Sequence, residues 1–199
     1  MASLTDKLSD KLSPSIVDMI RADHTAVLAT FHKYDLDTSP KTKQALVNTV
    51  CVALEIHAQL EEEIFYSAMQ GVAGGNEVLE KSVPEHDAMR QSIGRLRTMQ
   101  PADLEYDRTF MKLVREVMHH MADEESVLLP QAESLLADRL GELGMQMTKR
   151  RLQLSAPRAG EIIYNTARGR PVATALVAAG ALLAGAFLAK KAASARQSR

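Results

Sequence analysis

Between Ser13 and Leu140, apolar side chains recur every three or four residues, the period of an α-helix with one face in a core. Val17, Ile20, Val27, Leu28 and Phe31 fall on the side of His24, after a Ser13-Pro14 start in which Ser serves as N-cap and Pro takes the first helical position. Asp35 to Ser39 reads as a loop. Ser39-Pro40 repeats the start signal and opens a long helix to about Gln70, where Gly71 closes it. Within it, Val50, Ala53, Leu54, Leu60 and Ile64 flank His57 at helical spacing and aim it at the core. A third helix opens at Gly74-Gly75-Asn76. Pro84 should kink it or delay its regular start, and Ser82-Val83-Pro84-Glu85 fits a capping box that places His86 in the first turn of the regular segment. After a break at Gln100-Pro101-Ala102-Asp103, a fourth helix from about Leu104 carries Leu113, Val117, His120, Glu124 and Val127 on one face. Pro130 bends or ends it. Strand signals are absent. The pattern predicts an all-α fold, an antiparallel up-down-up-down four-helix bundle over residues 1–140.

The pattern changes after Gly141. Residues 141–171 are polar and basic, broken at Pro157, Gly160, Gly169 and Pro171, and read as a linker. Val172 to Ala189 then runs without a charge and with Thr174 as its one strongly polar side chain, between Arg168 and Arg170 on one side and Lys190 and Lys191 on the other. An 18-residue helix spans about 27 Å, near the thickness of a thin bilayer core, so this C-terminal hydrophobic helix reads as a transmembrane tail anchor followed by a basic tail, 190–199. The opening Met-Ala-Ser-Leu-Thr-Asp-Lys has no apolar stretch of a secretory signal. Together these features predict membrane localisation with the bundle facing the cytoplasm.

Composition narrows the chemistry. Only 4% of residues are aromatic, while Leu, Ala, Met, Glu and Lys are abundant, which favours helix over strand. The net charge of −1 gives no electrostatic case for nucleic acid as a partner. Cys51 is the single cysteine; it excludes an internal disulfide and a thiolate metal cage, and its apolar surroundings mark it as core.

Four histidines supply the candidate chemistry. His24, then His57 with Glu61 four residues on, is matched by His86, then His120 with Glu124 four residues on; the offsets are 86−24 = 62, 120−57 = 63 and 124−61 = 63. Positions i and i+4 lie on one helix face, so each His-x-x-x-Glu pair aims an imidazole and a carboxylate at one point. Two half-sites from an internal repeat describe a two-metal centre within a bundle. Glu61 and Glu124 are the natural bridges, because a carboxylate between two cations loses the charge that makes its burial costly. Imidazole and carboxylate together suit iron, manganese or zinc. His119 also forms an i, i+4 pair, with Asp123, but lies about 100° from His120 and reads as solvated. His32 stands off the face of His24, and Glu62, Glu63 and Glu125 read as a solvated face.

The stretches Ile20-Arg21-Ala22-Asp23-His24, His57-Ala58-Gln59-Leu60-Glu61-Glu62-Glu63-Ile64-Phe65-Tyr66, Glu85-His86-Asp87 and His120-Met121-Ala122-Asp123-Glu124-Glu125 through Leu129-Pro130 resemble the hemerythrin-like (HHE) cation-binding family over about residues 14–137. The resemblance implies two iron ions in a non-haem di-iron centre, held by His24, His57, Glu61, His86, His120 and Glu124, with a position open to dioxygen or nitric oxide. Oxygen-carrying members have a further histidine one turn beyond the one matching His86, where this chain has Arg90. They also end in an Asp five residues after the last histidine, where this chain has Glu124 at four. These departures weaken a carrier role and favour sensing of a small ligand or of redox state. An enzyme acting on peroxide or nitric oxide, repair of iron centres, and iron storage or delivery remain as alternatives, and the sequence leaves homo-oligomers and protein partners open. Arg90 is expected to fill the place of the missing histidine and pair with Glu116, one turn before His120 on an antiparallel neighbour.

Overall fold

A computed structural model describes residues 14–168. The described chain is all helical. Helix α1 (Ile16–Phe31) is capped by Ser15, whose side chain accepts from the Asp18 backbone N–H. The cap thus falls two residues later than the expected Ser13, with Pro14 before it. α2 (Pro40–Leu60) begins as expected, with Ser39 accepting from Thr42 and Pro40 at its first position. A π-turn (Glu61–Phe65) carries it without a break into α3 (Tyr66–Gln70).

α4 (Glu77–Thr98) opens where Gly74-Gly75-Asn76 placed it, but its regular start is not delayed to Pro84. Asn76 caps it, accepting from Val78 and Leu79, and Pro84 lies inside it. Pro84 removes one intrahelical N–H, whereas the cap at Asn76 satisfies two, so the helix starts early and absorbs the proline. Ser82 is therefore no cap: its hydroxyl donates back to the Val78 carbonyl at 2.7 Å. His86 sits in mid-helix rather than in a first turn. α5 (Leu104–Asp123) passes through a second π-turn (Glu124–Leu128) into α6 (Leu129–Leu135), with Pro130 near the start of the latter.

Residues 141–171 are not a linker as far as they are described. α7 (Leu140–Ser155), a 3-10 turn (Ala156–Arg158) and α8 (Ala159–Arg168) fold back onto α1 and α2. The polar look of this segment has a physical cause. Three of its bases meet acids of the earlier elements: Arg150 pairs with Glu63, Arg151 with Asp23, and Arg158 with Glu55. Leu143 and Met147 enter the core. Gly144 lets α7 approach the start of α1, where any β-carbon would press into the Pro14 carbonyl oxygen and lie 3.1 Å from the Ile16 nitrogen.

The expected membrane localisation is corrected here. Among the described residues no helix is long and apolar enough to cross a membrane. The 172–189 run that suggested an anchor lies outside the described residues.

The core falls into two apolar clusters. One joins Ile16, Ile20, Leu60, Phe65, Met69, Leu128, Leu129 and Met147; the other joins Val27, Leu54, Met89, Phe110, Leu113 and Val117. His24, His57, His86 and His120 fall between them in sequence on their respective helices, so a polar layer separates the two clusters. Full burial of each large apolar side chain is worth roughly 1.5–3 kcal/mol, which offsets what the polar layer costs.

Candidate metal centre

His24 comes from α1, His57 from the last turn of α2, His86 from α4 and His120 from the last turn of α5. Glu61 and Glu124 each open a π-turn. In both turns the backbone N–H five residues on, of Tyr66 or Leu129, donates to the glutamate carbonyl, so one residue is wound in beyond the α-helical count. The repeat seen in the sequence is thus also a repeat in backbone shape.

All six side chains converge. Both glutamates have no exposed surface, and the four histidines are buried. His57 Nε2 lies 3.1 Å from Glu61 Oε2, and His24 Nε2 lies 3.3 Å from Glu124 Oε2. On the other side, His86 Nε2 is 3.0 Å from His120 Nε2 and 3.4 Å from Glu61 Oε2, while His120 Nε2 is 3.5 Å from Glu124 Oε2. Donor atoms of His24, His57, Glu61 and Glu124 all lie within 4.8 Å of one another, as do those of Glu61, His86 and His120. Glu61 belongs to both groups, and Glu124, in the first, also lies 3.5 Å from His120 of the second.

The chemistry of the donors fits a cation. Buried polar atoms almost always find a hydrogen-bond partner, yet His24 Nε2, His57 Nε2, Glu61 Oε1 and Glu124 Oε2 have none. They are near one another without being aligned for hydrogen bonds, as ligands facing a common centre are. Two carboxylates at zero exposure repel, and burial penalises both. Burial and the charge of Glu124 push Glu61 well above the ordinary carboxylate range. Burial opposes ionisation of Glu124 too, but the His24 imidazole 3.3 Å away and the other imidazoles around it outweigh that and hold it down at about 2. Burial lowers His57 to about 4 and also lowers His86 and His120. At His24 burial acts the same way, but the carboxylate of Glu124 at 3.3 Å and the charge of Glu61 prevail and raise it to about 9. Metal cations would supply the positive charge that this pair of glutamates lacks.

A second ring of acids orients the imidazoles. Each histidine keeps Nε2 toward the centre and sets Nδ1 against a carboxylate: His24 on Glu125 at 2.8 Å, His57 on Asp23 at 3.3 Å, His86 on Glu62 at 2.8 Å and His120 on Glu85 at 2.9 Å. Such a partner fixes the tautomer and makes the ligating nitrogen more basic. Glu62 and Glu125 are therefore not a solvated face, although Glu63, paired with Arg150, does lie outside. The signal was present in the chain: Asp23 and Glu85 precede His24 and His86, and Glu62 and Glu125 follow Glu61 and Glu124, at the same repeat offsets.

Two further residues depart from expectation. Arg90 does not meet Glu116; it donates to Glu62 at 2.7 Å and to Asp87 at 2.9 Å. Glu116 instead accepts from Ser92 at 2.8 Å and Lys112 at 2.6 Å. Matching heights on antiparallel helices leaves rotation undetermined, and Arg90 is turned toward the π-turn after α2 rather than toward α5. His119 is exposed, 3.7 Å from Asp123, and His32 hydrogen-bonds the Leu28 carbonyl on its own helix.

Tyr66 was not assigned a place in the site from the sequence. It is 2% exposed, and its hydroxyl donates to Glu124 Oε1 at 2.8 Å. The same oxygen lies 3.4 Å from Glu61 Oε2, 3.4 Å from His86 Nε2 and 3.5 Å from His120 Nε2. Burial and the charges of the two glutamates push the phenol far above its ordinary value.

Comparison with known proteins follows the same lines. The family profile described as the Hemerythrin HHE cation binding domain matches residues 15–132. A crystal structure of a hemerythrin HHE cation binding domain-containing protein from Mycobacterium kansasii shares the fold, with a TM-score of 0.61 at 17% identity over 80% of this chain and 97% of that one. A DNA nickase from Nostoc sp. is 28% identical over 120 residues, 60% of this chain. The chain spans about a third of that relative's length, 34%. With the profile covering more than half of its residues, the chain belongs to the hemerythrin HHE cation-binding domain family.

Proposed function

We propose that this chain is a non-haem di-iron protein that binds or senses a small ligand, dioxygen, nitric oxide or cellular redox state, within an antiparallel four-helix bundle. The observation that carries it is the set of buried donor atoms without hydrogen-bond partners, His24 Nε2, His57 Nε2, Glu61 Oε1 and Glu124 Oε2, converging from three separate segments of chain. His24 and His57 would hold one ion and His86 and His120 the other, with Glu61 and Glu124 shared. When bound, a pair of iron ions supplies one-electron chemistry and an open position for a diatomic ligand.

The chain's own residues shape what reaches that position. A cavity of about 10 Å³ opens beside the imidazoles, with Val27, Leu54, Met89, Val117 and Met121 on its walls. That is room for about one water-sized molecule. Its apolar lining favours a neutral diatomic over an ion, because a charge entering it would lose its hydration without a partner. The Nδ1 carboxylates hold the four rings fixed, so a ligand enters without rearrangement of the donors.

The nickase activity of the Nostoc relative is not extended to this chain. Three bases of the segment after α6, Arg150, Arg151 and Arg158, are occupied by Glu63, Asp23 and Glu55. The test is spectroscopic. Full-length protein loaded anaerobically with ferrous iron is exposed to dioxygen, and separately to nitric oxide. A saturable change in absorption at two irons per chain supports the reading. Catalytic consumption of peroxide or nitric oxide would move the assignment to an enzyme, and iron uptake far above two per chain would move it to storage. Two bound irons whose spectrum neither gas alters would overturn it.

A further inference from the structure

We infer that Tyr66 is a ligand of the second metal ion, taking with its phenolate oxygen the coordination position that Arg90 leaves without a histidine. This rests on the di-metal reading above and extends it to a residue of different chemistry.

The geometry is the argument. Donor atoms cis to one another on an octahedral ion with bonds of about 2.1 Å lie about 3.0 Å apart, the bond length times the square root of two. The six assigned ligands obey this spacing: the separations already given between imidazole Nε2 atoms and glutamate oxygens run from 3.0 to 3.5 Å. Tyr66 Oη obeys it with respect to four donors at once, Glu124 Oε1 at 2.8 Å, Glu61 Oε2 at 3.4 Å, His86 Nε2 at 3.4 Å and His120 Nε2 at 3.5 Å. A hydroxyl has one proton to donate, and a single hydrogen bond to Glu124 would satisfy it. That bond does not explain why the same oxygen sits at near-ligand spacing from two imidazole nitrogens and a second carboxylate. A shared ion explains all four distances. The ring is held in place by its own stacking: Tyr66 lies 5.6 Å from the His86 ring at an interplanar angle of 28° and packs against Phe65.

The π-turn after α2 makes this position available. In an unbroken α-helix five residues would turn Tyr66 about 140° from Glu61. The residue wound into Glu61–Phe65 brings the two side chains back to one side. At the matching place in the second half of the repeat stands Leu129, which has no donor. The centre is therefore asymmetric: a phenol on the ion of His86 and His120, and none on the ion of His24 and His57. Nothing here requires a change of oxidation state. The phenol O–H bond is exchanged for an O–metal bond, the proton leaves to solvent, and no electron moves.

Ferric ion bound by phenolate has a visible charge-transfer band and resonance-enhanced tyrosine ring vibrations. The full chain is loaded with ferric iron and examined by absorption and resonance Raman spectroscopy alongside Tyr66→Phe. Two irons per chain with tyrosinate vibrations that vanish in Tyr66→Phe are expected, together with an affinity for the second iron lowered at least about tenfold. The wild-type spectrum decides the matter even if the variant folds poorly, because a di-iron centre of histidine and carboxylate alone gives no tyrosinate modes. Two bound irons without such modes would overturn the ligation and leave the di-metal reading standing, with Tyr66 as a hydrogen-bond donor only. Modes that persist in a folded Tyr66→Phe protein would also overturn it, by assigning them to another tyrosine. Failure to bind iron at all would overturn the functional reading and this inference together.

Discussion

Replacing Arg151 with methionine should destabilise the folded protein by about 3 kcal/mol, a large effect for a residue beyond the 15–132 span of the family profile. The guanidinium makes two parallel bonds to Asp23, both of 2.6 Å, and Asp23 in turn faces His57 Nδ1 at 3.3 Å. The side chains of Arg151 and Asp23 are 23% and 20% exposed. Removing one partner of a buried ion pair costs about 3–5 kcal/mol, since the other charge is left desolvated and unpaired, and partial exposure places this pair at the low end. Methionine retains most of the stem's packing, so the loss reports on charge rather than on a cavity. Urea unfolding of metal-free protein reads the change as a lower midpoint at constant slope. Arg151→Met combined with Asp23→Asn should recover part of the loss, because no uncompensated acid remains. Arg150→Met, whose partner Glu63 lies at the surface, should leave the midpoint where it is. A shift of less than about 0.5 kcal/mol for Arg151→Met, the scale of an ordinary surface change, would refute the view that α7 locks Asp23 and through it His57.

Other consequences follow from the same geometry. Gly144→Ala should lower stability by about 1–3 kcal/mol, because its β-carbon meets the Pro14 carbonyl and the Ile16 nitrogen, backbone atoms that cannot swing aside; a thermal midpoint equal to wild type would show that α7 is free to move. Metal affinity should rise with pH. Without metal, burial opposes protonation of His24, but Glu124 and Glu61 raise it to about 9, and burial with Glu124 raises Glu61 as well. An incoming cation must displace the proton on His24, so the logarithm of the apparent affinity should climb with pH up to about 9. Zinc competition titrations at several pH values read the slope, and a flat profile would contradict the charge assignment. Glu61→Gln should reduce binding at both ions rather than one, since Glu61 belongs to both donor groups; loss of a single ion in titration would show that it is not shared.

The converging donor residues are legible because helical spacing is rigid: His-x-x-x-Glu on one face, repeated at 62 and 63 residues, leaves little freedom about where the side chains go. The carboxylates behind the imidazoles were hidden by their neighbours. Glu62 stands in a run of three acids, and a charge run reads as a solvated face, although the rotation of the π-turn sends Glu62 to His86 and only Glu63 outward. Tyr66 escaped for the related reason that a π-turn leaves no mark in apolar periodicity. Arg90 was misplaced because antiparallel packing sets height and not rotation. The regular part of the third helix looks delayed because Ser82-Val83-Pro84-Glu85 satisfies every local rule of a cap; Asn76, in the opening Gly74-Gly75-Asn76, satisfies them earlier and binds two N–H groups. The helices after Leu140 were obscured by their basic surface, whose partners are acids distant in sequence.

X-ray diffraction from the iron-loaded full chain, with anomalous differences collected at the iron edge, tests the central claim most directly. Two anomalous peaks between the α1–α2 and α4–α5 histidines are expected, one in contact with His24 and His57, the other with His86 and His120, and Glu61 and Glu124 touching both. A single peak, peaks elsewhere on the molecule, or histidines still facing one another without metal between them would contradict it.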